Sequence, residues 1–418
     1  DNKEMIFSQQ IDKEQQNYIL QFMYKHDVPS RDQRNTKEYI RDNTKRSVAI
    51  SLLNSRFSEI MSKENPPYLR AGVGYSGFGV TETKKAFTVM VQCKPEQVLE
   101  AIPMVFTEVE RARRFGFTEP ELNRMKESML SRMESWYAER DKRTNDYYVE
   151  NCVRHFLDEI DMMAPEMEYQ LSIDIINSLT LDEINEVIPS LHREDNRVAI
   201  SFAPEREGMV YPGKKDLEML LKMVGNARIT PYEDNAVDAP LLEKIPQGGK
   251  VVKSEEGKWG STIWTLSNGI KVVLKPTDFQ ADIINLSGYK VGGTNRYPDS
   301  EKENIGMLPA LSSIGGYGAF DANQLSKKMS GSTASANVGS SSFYDVISAG
   351  CSPKDAEEMF QLMYLKYTSP RKDEKAFESY TTRMRNSLKD RHLNPNTALS
   401  DTMVVALYNN HPRVRPFV

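Results

Sequence analysis

The sequence predicts an α+β fold built from repeated two-layer units, each an antiparallel sheet packed with helices. Three observations carry this expectation. Alternating apolar stretches separated by glycine-rich turns read as strands, and apolar residues spaced three and four apart read as helices. The two patterns then recur in the same order further along the chain. Phe87-Thr-Val-Met-Val-Gln-Cys93 ends in cysteine and is followed by a helix opening at Lys94-Pro-Glu96. Phe343-Tyr-Asp-Val-Ile-Ser-Ala-Gly-Cys351, followed by Ser352-Pro-Lys-Asp355, repeats this 258 positions later. Such a recurrence points to a duplicated unit.

In the first unit, residues 4–8 and 18–23 read as strands or buried segments. Residues 36–61 form a helical pattern, with Asn35 and Glu38 as a capping-box-like start and Ile40, Val48, Leu52, Leu53, Phe57 and Ile60 on one face. Residues 68–75 and 87–92 read as a hairpin about the turn at 76–79. A helix from Pro95 stops at Gly116. Thr118 caps the next, with Pro120 in its first turn and Glu121 placed to return the capping-box bond. Further helices fit 144–157, 166–177 and 181–191, and the strand 197–202 closes the unit. The density of turn residues in 206–258 marks a linker. In the second unit, Phe360, Met363, Tyr364 and Tyr367 supply the apolar face of the repeated helix, and 375–392 forms the one after it.

Composition narrows the function. The 54 basic and 59 acidic residues are mixed along the chain and leave a net charge of -5, so no broad field holds a nucleic acid. The densest basic cluster, Arg111, Arg113 and Arg114, sits at a helix end, where cations favour the dipole. Cys93, Cys152 and Cys351 define neither a disulfide framework nor a Cys-x-x-Cys site, and the five histidines form no His-x-x-x-His pair. Cys152 and His155 share a helical turn with no second pair to complete a metal set. No apolar run approaches the ~20 residues that span a bilayer. Gly315-Gly-Tyr-Gly318 lacks the Gly-Lys-Ser/Thr of a phosphate cradle and reads as a tight loop, and Ser330 beside two lysines has no visible base. Residues 332–342 fit a strand and tight turn.

A resemblance covers nearly the whole chain. A strand-like opening at 264–274, overlapping Leu266-Ser-Asn-Gly-Ile-Lys-Val-Val-Leu-Lys-Pro-Thr-Asp-Phe279, together with Gly292-Gly293, Gly316-Tyr-Gly-Ala-Phe320 and Tyr367-Thr-Ser-Pro-Arg371, resembles the four-domain, single-chain bacterial zinc proteases of the pitrilysin/insulinase family. The resemblance implies their mitochondrial-processing-peptidase-like metallohydrolase fold. Residues 1–205 would be the second, non-catalytic domain, 206–258 the linker between halves, and 259–418 a degenerate and truncated third domain. At the repeat offset the chain ends before the later helices and closing strand of the second unit.

In the family, a Gly-x-Ala-His-x-Leu-Glu-His segment supplies two zinc ligands and a general base. Here Pro309 and Ser313 align with the histidines and Ser312 with the glutamate. The family's third ligand, a glutamate on a later helix, aligns near Asn386 or Ser387. A proline and hydroxyl or amide side chains do not make a zinc set. No catalytic or metal residue is therefore expected in this segment, and its substrate contacts stay undefined. Zinc and its general base are expected in an upstream domain. The implied function of the whole is hydrolysis of peptides or unfolded proteins in the periplasm or cell envelope. The partners would be that substrate and the remaining domains of the same chain, and this segment would supply chamber wall, strand edges for an extended peptide and a hinge near Gly248-Gly249. Two alternatives stay open: a non-catalytic peptide-binding or assembly protein of the same fold, and an unrelated αβ binding protein.

Overall fold

The computed structural model describes residues 1–62, 66–79, 81, 83–389, 391 and 394–416. The first unit runs β1 (Ile6–Asp12), β2 (Tyr18–Asp27), α1 (Lys37–Ser62), β3 (Arg70–Gly77), β4 (Lys84–Cys93), α2 (Val98–Phe115), α3 (Glu119–Ala138), α4 (Asn145–Asp158), α5 (Pro165–Ser178), α6 (Leu181–Asn185), α7 (Val187–Leu191), β5 (Arg197–Pro204) and α8 (Lys214–Asn226). Its sheet has the order β1-β5-β2-β4-β3. β5, the last strand in sequence, inserts between the first two. It pairs antiparallel with β2 and parallel with β1, which adds one parallel edge to an otherwise antiparallel sheet.

Burial follows the periodicities. Val48, Leu52, Leu53 and Phe57 of α1, with Ala101, Ile102, Val105 and Phe106 of α2, pack in one core with Leu20, Phe22, Val89 and Val91 of the sheet. Each large apolar side chain so buried contributes about 1.5–3 kcal/mol before entropy is counted. The linker expected over 206–258 contains α8, whose Leu217 and Val224 are buried in this same core.

Two local expectations change. The α1 start is capped by Thr36, whose hydroxyl accepts from Tyr39 N at 3.2 Å, because the Asn35 side chain is drawn to Glu159 O (2.8 Å) and Asp161 N (3.1 Å). The helix expected over 181–191 is two short helices broken at Glu186. Pro189 has no N–H to bond the carbonyl four residues back, so the first helix ends at Asn185.

The second unit has two sheets. β6 (Val251–Glu256), β7 (Thr262–Leu266) and β8 (Lys271–Leu274) form one, in that order. The strand-like opening at 264–274 is thus two strands. It folds back at Asn268-Gly269, where Gly269 takes φ +85° and the Asn268 side chain accepts from Ile270 N at 3.2 Å. The other sheet, with its helices, comprises β9 (Ile284–Val291), α9 (Lys302–Ile314), α10 (Ala322–Lys328), β10 (Ser335–Ser340), β11 (Tyr344–Cys351), α11 (Ala356–Thr368), α12 (Glu374–Lys389) and α13 (Pro395–Leu407).

The duplication is visible in strand order and register. β10-β11-β9 repeats β3-β4-β2. Cys93 lies opposite Tyr18 at the end of β4, Cys351 lies opposite Ile284 at the end of β11, and both thiols are buried. The buried face of α11 is not the one expected. Met359, Leu362 and Leu365 pack on Ala336, Ala349 and Phe320, whereas Phe360, Tyr364 and Tyr367 are exposed. The helix is apolar on two faces. The small residues on the inner side of β10 and β11 leave room for the aliphatic face, and nothing in the local spacing marks that choice.

Candidate functional site

The positions expected to correspond to the family's zinc ligands and base, Pro309, Ser312, Ser313 and Asn386 or Ser387, lie on α9 and α12. Pro309 is inside α9 and exposed. The Ser312 hydroxyl donates to Pro309 O at 3.0 Å and the Ser313 hydroxyl to Ala310 O at 2.8 Å, so both turn back onto their own helix. Ser312 lines a hollow of about 410 Å³ between α9 and the start of α12, while exposed Ser387 lines a different cleft beside the first unit. The Asn386 side chain lies outside the described residues. This donor set does not fit zinc, which takes thiolate, imidazole or carboxylate ligands. Among the described residues no group of three or more His, Cys, Asp and Glu is placed to hold a metal. Cys152 and His155 are exposed on α4, with His155 Nδ1 at 2.8 Å from Ile160 O. Ser330, one residue before the Gly331 turn, serves the contact between units: its hydroxyl lies 3.0 Å from that of Ser128 and donates to Arg124 O at 3.2 Å.

That contact carries an extended polar arrangement among the described residues. Along α3, residues 124, 128 and 135 share one side of the helix. Arg124 pairs with Asp234 at 2.8 Å, Ser128 accepts from Gly331 N at 3.1 Å, and Ser135 donates to Asp282 at 3.0 Å. Glu139, just past the helix, accepts from Ala281 N at 2.6 Å. Gly331 is required here. Its φ is +85°, and a Cβ would lie 2.8 Å from that of Glu127.

Lys327 of α10 reaches into the first unit. Its ammonium lies 2.9 Å from Glu59, 2.9 Å from Asp234 and 3.0 Å from the Tyr232 hydroxyl. Burial alone would lower this ammonium, but hydrogen bonds to Tyr232, Glu59 and Asp234 hold it above its usual value. Burial likewise pushes Tyr232 up to about 12, and Asp234, despite its burial, is held below the usual range by Lys327 and Arg124. The Tyr232 ring in turn covers Arg56, 4.1 Å from its guanidinium carbon. Arg56 is 1% exposed and bonds Glu121 twice at 2.8 Å and Gly116 O at 3.1 Å. One chain of contacts thus runs from the core of the first unit through the stretch 230–234 to the second unit. Sequence reasoning passed over it. The only local signal was polar residues at helical spacing on α3, which equally describes a solvated face.

A class of protein is now defined by this duplicated sheet-and-helix architecture. Residues 11–129 match the family model described as "Peptidase M16 inactive domain". The chain is similar to the pitrilysin/insulinase, or M16, peptidases, with the family-model match lying within residues 11–129. Among curated proteins it is 24% identical over 307 residues to a "Zinc protease PQQL-like" of Arabidopsis thaliana, covering 73% of this chain and 29% of that protein. It is 18% identical over 327 residues to the "Probable zinc protease PqqL" of Escherichia coli K12, covering 77% of this chain and 35% of that one. The chain therefore spans about a third of the length of these curated relatives. Among solved structures, the ferredoxin protease FusC, in complex with Arabidopsis ferredoxin, aligns over 99% of this chain and 46% of its own, with a TM-score of 0.58 and 15% identity, a likeness of fold.

Proposed function

We propose that this chain is the non-catalytic part of a zinc metalloendopeptidase that cleaves peptides or unfolded proteins. Residues 1–205 act as the family's second domain, 206–258 as linker and 259–418 as the degenerate third domain. The observation that carries this reading is a family unit whose metal-binding positions hold Pro309, Ser312 and Ser313, with both hydroxyls bonded to their own helix. Zinc and the general base belong to another domain of the whole protein. The polar seam along α3 supports a wall role, since it holds two units together as one side of a chamber. The exposed stretch 243–250, in which nothing stands within 4 Å of a Cβ added at Gly248, is the proposed hinge. Periplasmic or envelope placement rests on resemblance to family members. No described helix is long and apolar enough to cross a membrane.

Elemental analysis and peptide cleavage test this reading. The 418-residue chain should carry no stoichiometric zinc and cleave no unfolded polypeptide, whereas the protein extended to its natural ends should hold about one zinc and cleave. Stoichiometric zinc in this chain would overturn the reading. Absence of zinc from both would favour a non-catalytic peptide-binding or assembly protein.

A further inference from the structure

A cleft of about 640 Å³ opens between the first unit and helices α12 and α13. Lys94 and Arg206, from the segments that follow β4 and β5, line one wall, and Arg383 and Arg391 line the other. Against these four cations, Glu96 is the only carboxylate among the described lining residues. Two of the cations are already answered: Arg206 meets Glu96 at 3.1 Å, and Arg391 holds Asp401 at 2.6 and 2.9 Å. Arg383 bonds only neutral acceptors among the described residues, the Ser379 hydroxyl at 2.5 Å and Met61 O at 3.5 Å. Lys94 precedes the helical turn Pro95–Gln97 that leads into α2, and its side chain makes no capping bond.

Two helical stretches also begin at this cleft. The turn at Pro95–Gln97 starts one, and Asn394 starts α13, accepting from Asn396 N at 3.0 Å and Thr397 N at 3.1 Å. The positive end of the α13 dipole adds to the four side chains. The chain as a whole carries -5. The cleft is a local reversal of that sign, felt over roughly the 8 Å Debye length at physiological salt.

We propose that this cleft binds an acidic segment of a polypeptide. Among the described residues the lining contains no aromatic ring on which a base could stack, which argues against single-stranded nucleic acid. It does contain the amides of Gln16 and Asn17 and the apolar side chain of Leu69, groups suited to peptide bonds and stems between carboxylates. The polypeptide nature of the ligand rests on the reading given above under the proposed function. The charge preference does not.

Fluorescence anisotropy with the 418-residue chain tests the proposal. The probes are a labelled glutamate-rich peptide and the same peptide with every glutamate replaced by glutamine. The acidic probe should bind about tenfold more tightly at low salt, with the difference shrinking as salt rises. Lys94→Glu should abolish that preference, while Lys222→Glu, an exposed charge reversal on α8, should leave it intact. Equal affinity for the two peptides, or equal effects of the two substitutions, would overturn the proposal. So would displacement of the probe by inorganic phosphate at matching concentration, which would make the cleft a simple anion site. The assay reads binding alone, so its failure leaves the zinc and cleavage experiment unaffected.

Discussion

Replacing Lys327 with methionine keeps most of the side chain's length and removes one charge from the contact between units. Three bonds are lost, to Glu59, Asp234 and the Tyr232 hydroxyl, at 2.9, 2.9 and 3.0 Å. The carboxylates left behind are 18% and 11% exposed, between a solvated surface pair, at ~0–1 kcal/mol, and a buried pair broken on one side, at ~3–5 kcal/mol. Both also keep a partner. Glu59 still accepts from Tyr232 at 2.8 and 2.9 Å, and Asp234 still pairs with Arg124 at 2.8 Å. The expected loss is therefore about 2–3 kcal/mol, which is roughly 30- to 150-fold in the equilibrium for opening the contact. Native-state hydrogen exchange should report it. Amides in 322–331 and 230–236 should exchange faster by that factor, while those of β2 and β4 stay near the wild-type rate. A cycle with Asp234→Asn should show a coupling of about 1 kcal/mol or more. Unchanged exchange in 322–331, or acceleration spread evenly over both units, would refute the idea that Lys327 clamps one unit to the other.

Two further expectations concern the first unit alone. Glu121→Gln removes the nearer of the two carboxylates facing Arg56, leaving a nearly inaccessible guanidinium with Glu108 at 3.6 Å and weaker acceptors. Because Glu108 still balances part of that charge, a loss of about 2 kcal/mol follows, lowering the melting temperature by about 4–8 °C. A shift of under about 1 °C would mean that other neighbours carry that charge. His26, mainly through burial and despite its contact with Leu191 O at 3.2 Å, titrates below its ordinary 6.5 in the fold. Its neutral form is favoured when folded, so the contribution is fully present above pH 6.5 and is lost as pH falls through the lower folded value. Denaturation titrations should show stability declining from pH 6.5 downward, and His26→Gln should flatten that slope. An unaltered slope in the variant would assign the decline to other groups.

Sequence by itself determined the elements whose signals lie within a few residues. The capping box at Thr118/Glu121 starts α3 as its spacing requires. The alternation of β4 and β11, with a buried cysteine closing each, marked the duplication. The side-chain chemistry of Pro309, Ser312 and Ser313 was likewise legible without coordinates, because donor type does not depend on fold. Tertiary structure decided what depends on partners far along the chain. Arg56 meets Glu121 across 65 positions, and Lys327 meets Asp234 across 93. β5 inserts beside β1 and β2 nearly two hundred residues after them, a choice settled by hydrogen-bonding edges rather than by spacing. The aliphatic face of α11 was selected by the small residues beneath it, and four cations from separated segments became one cleft only when the two units docked. Periodicity states which faces can be buried. Which partner covers each face, and which charges then share one pocket, is decided by long-range packing and desolvation, and these leave no local trace.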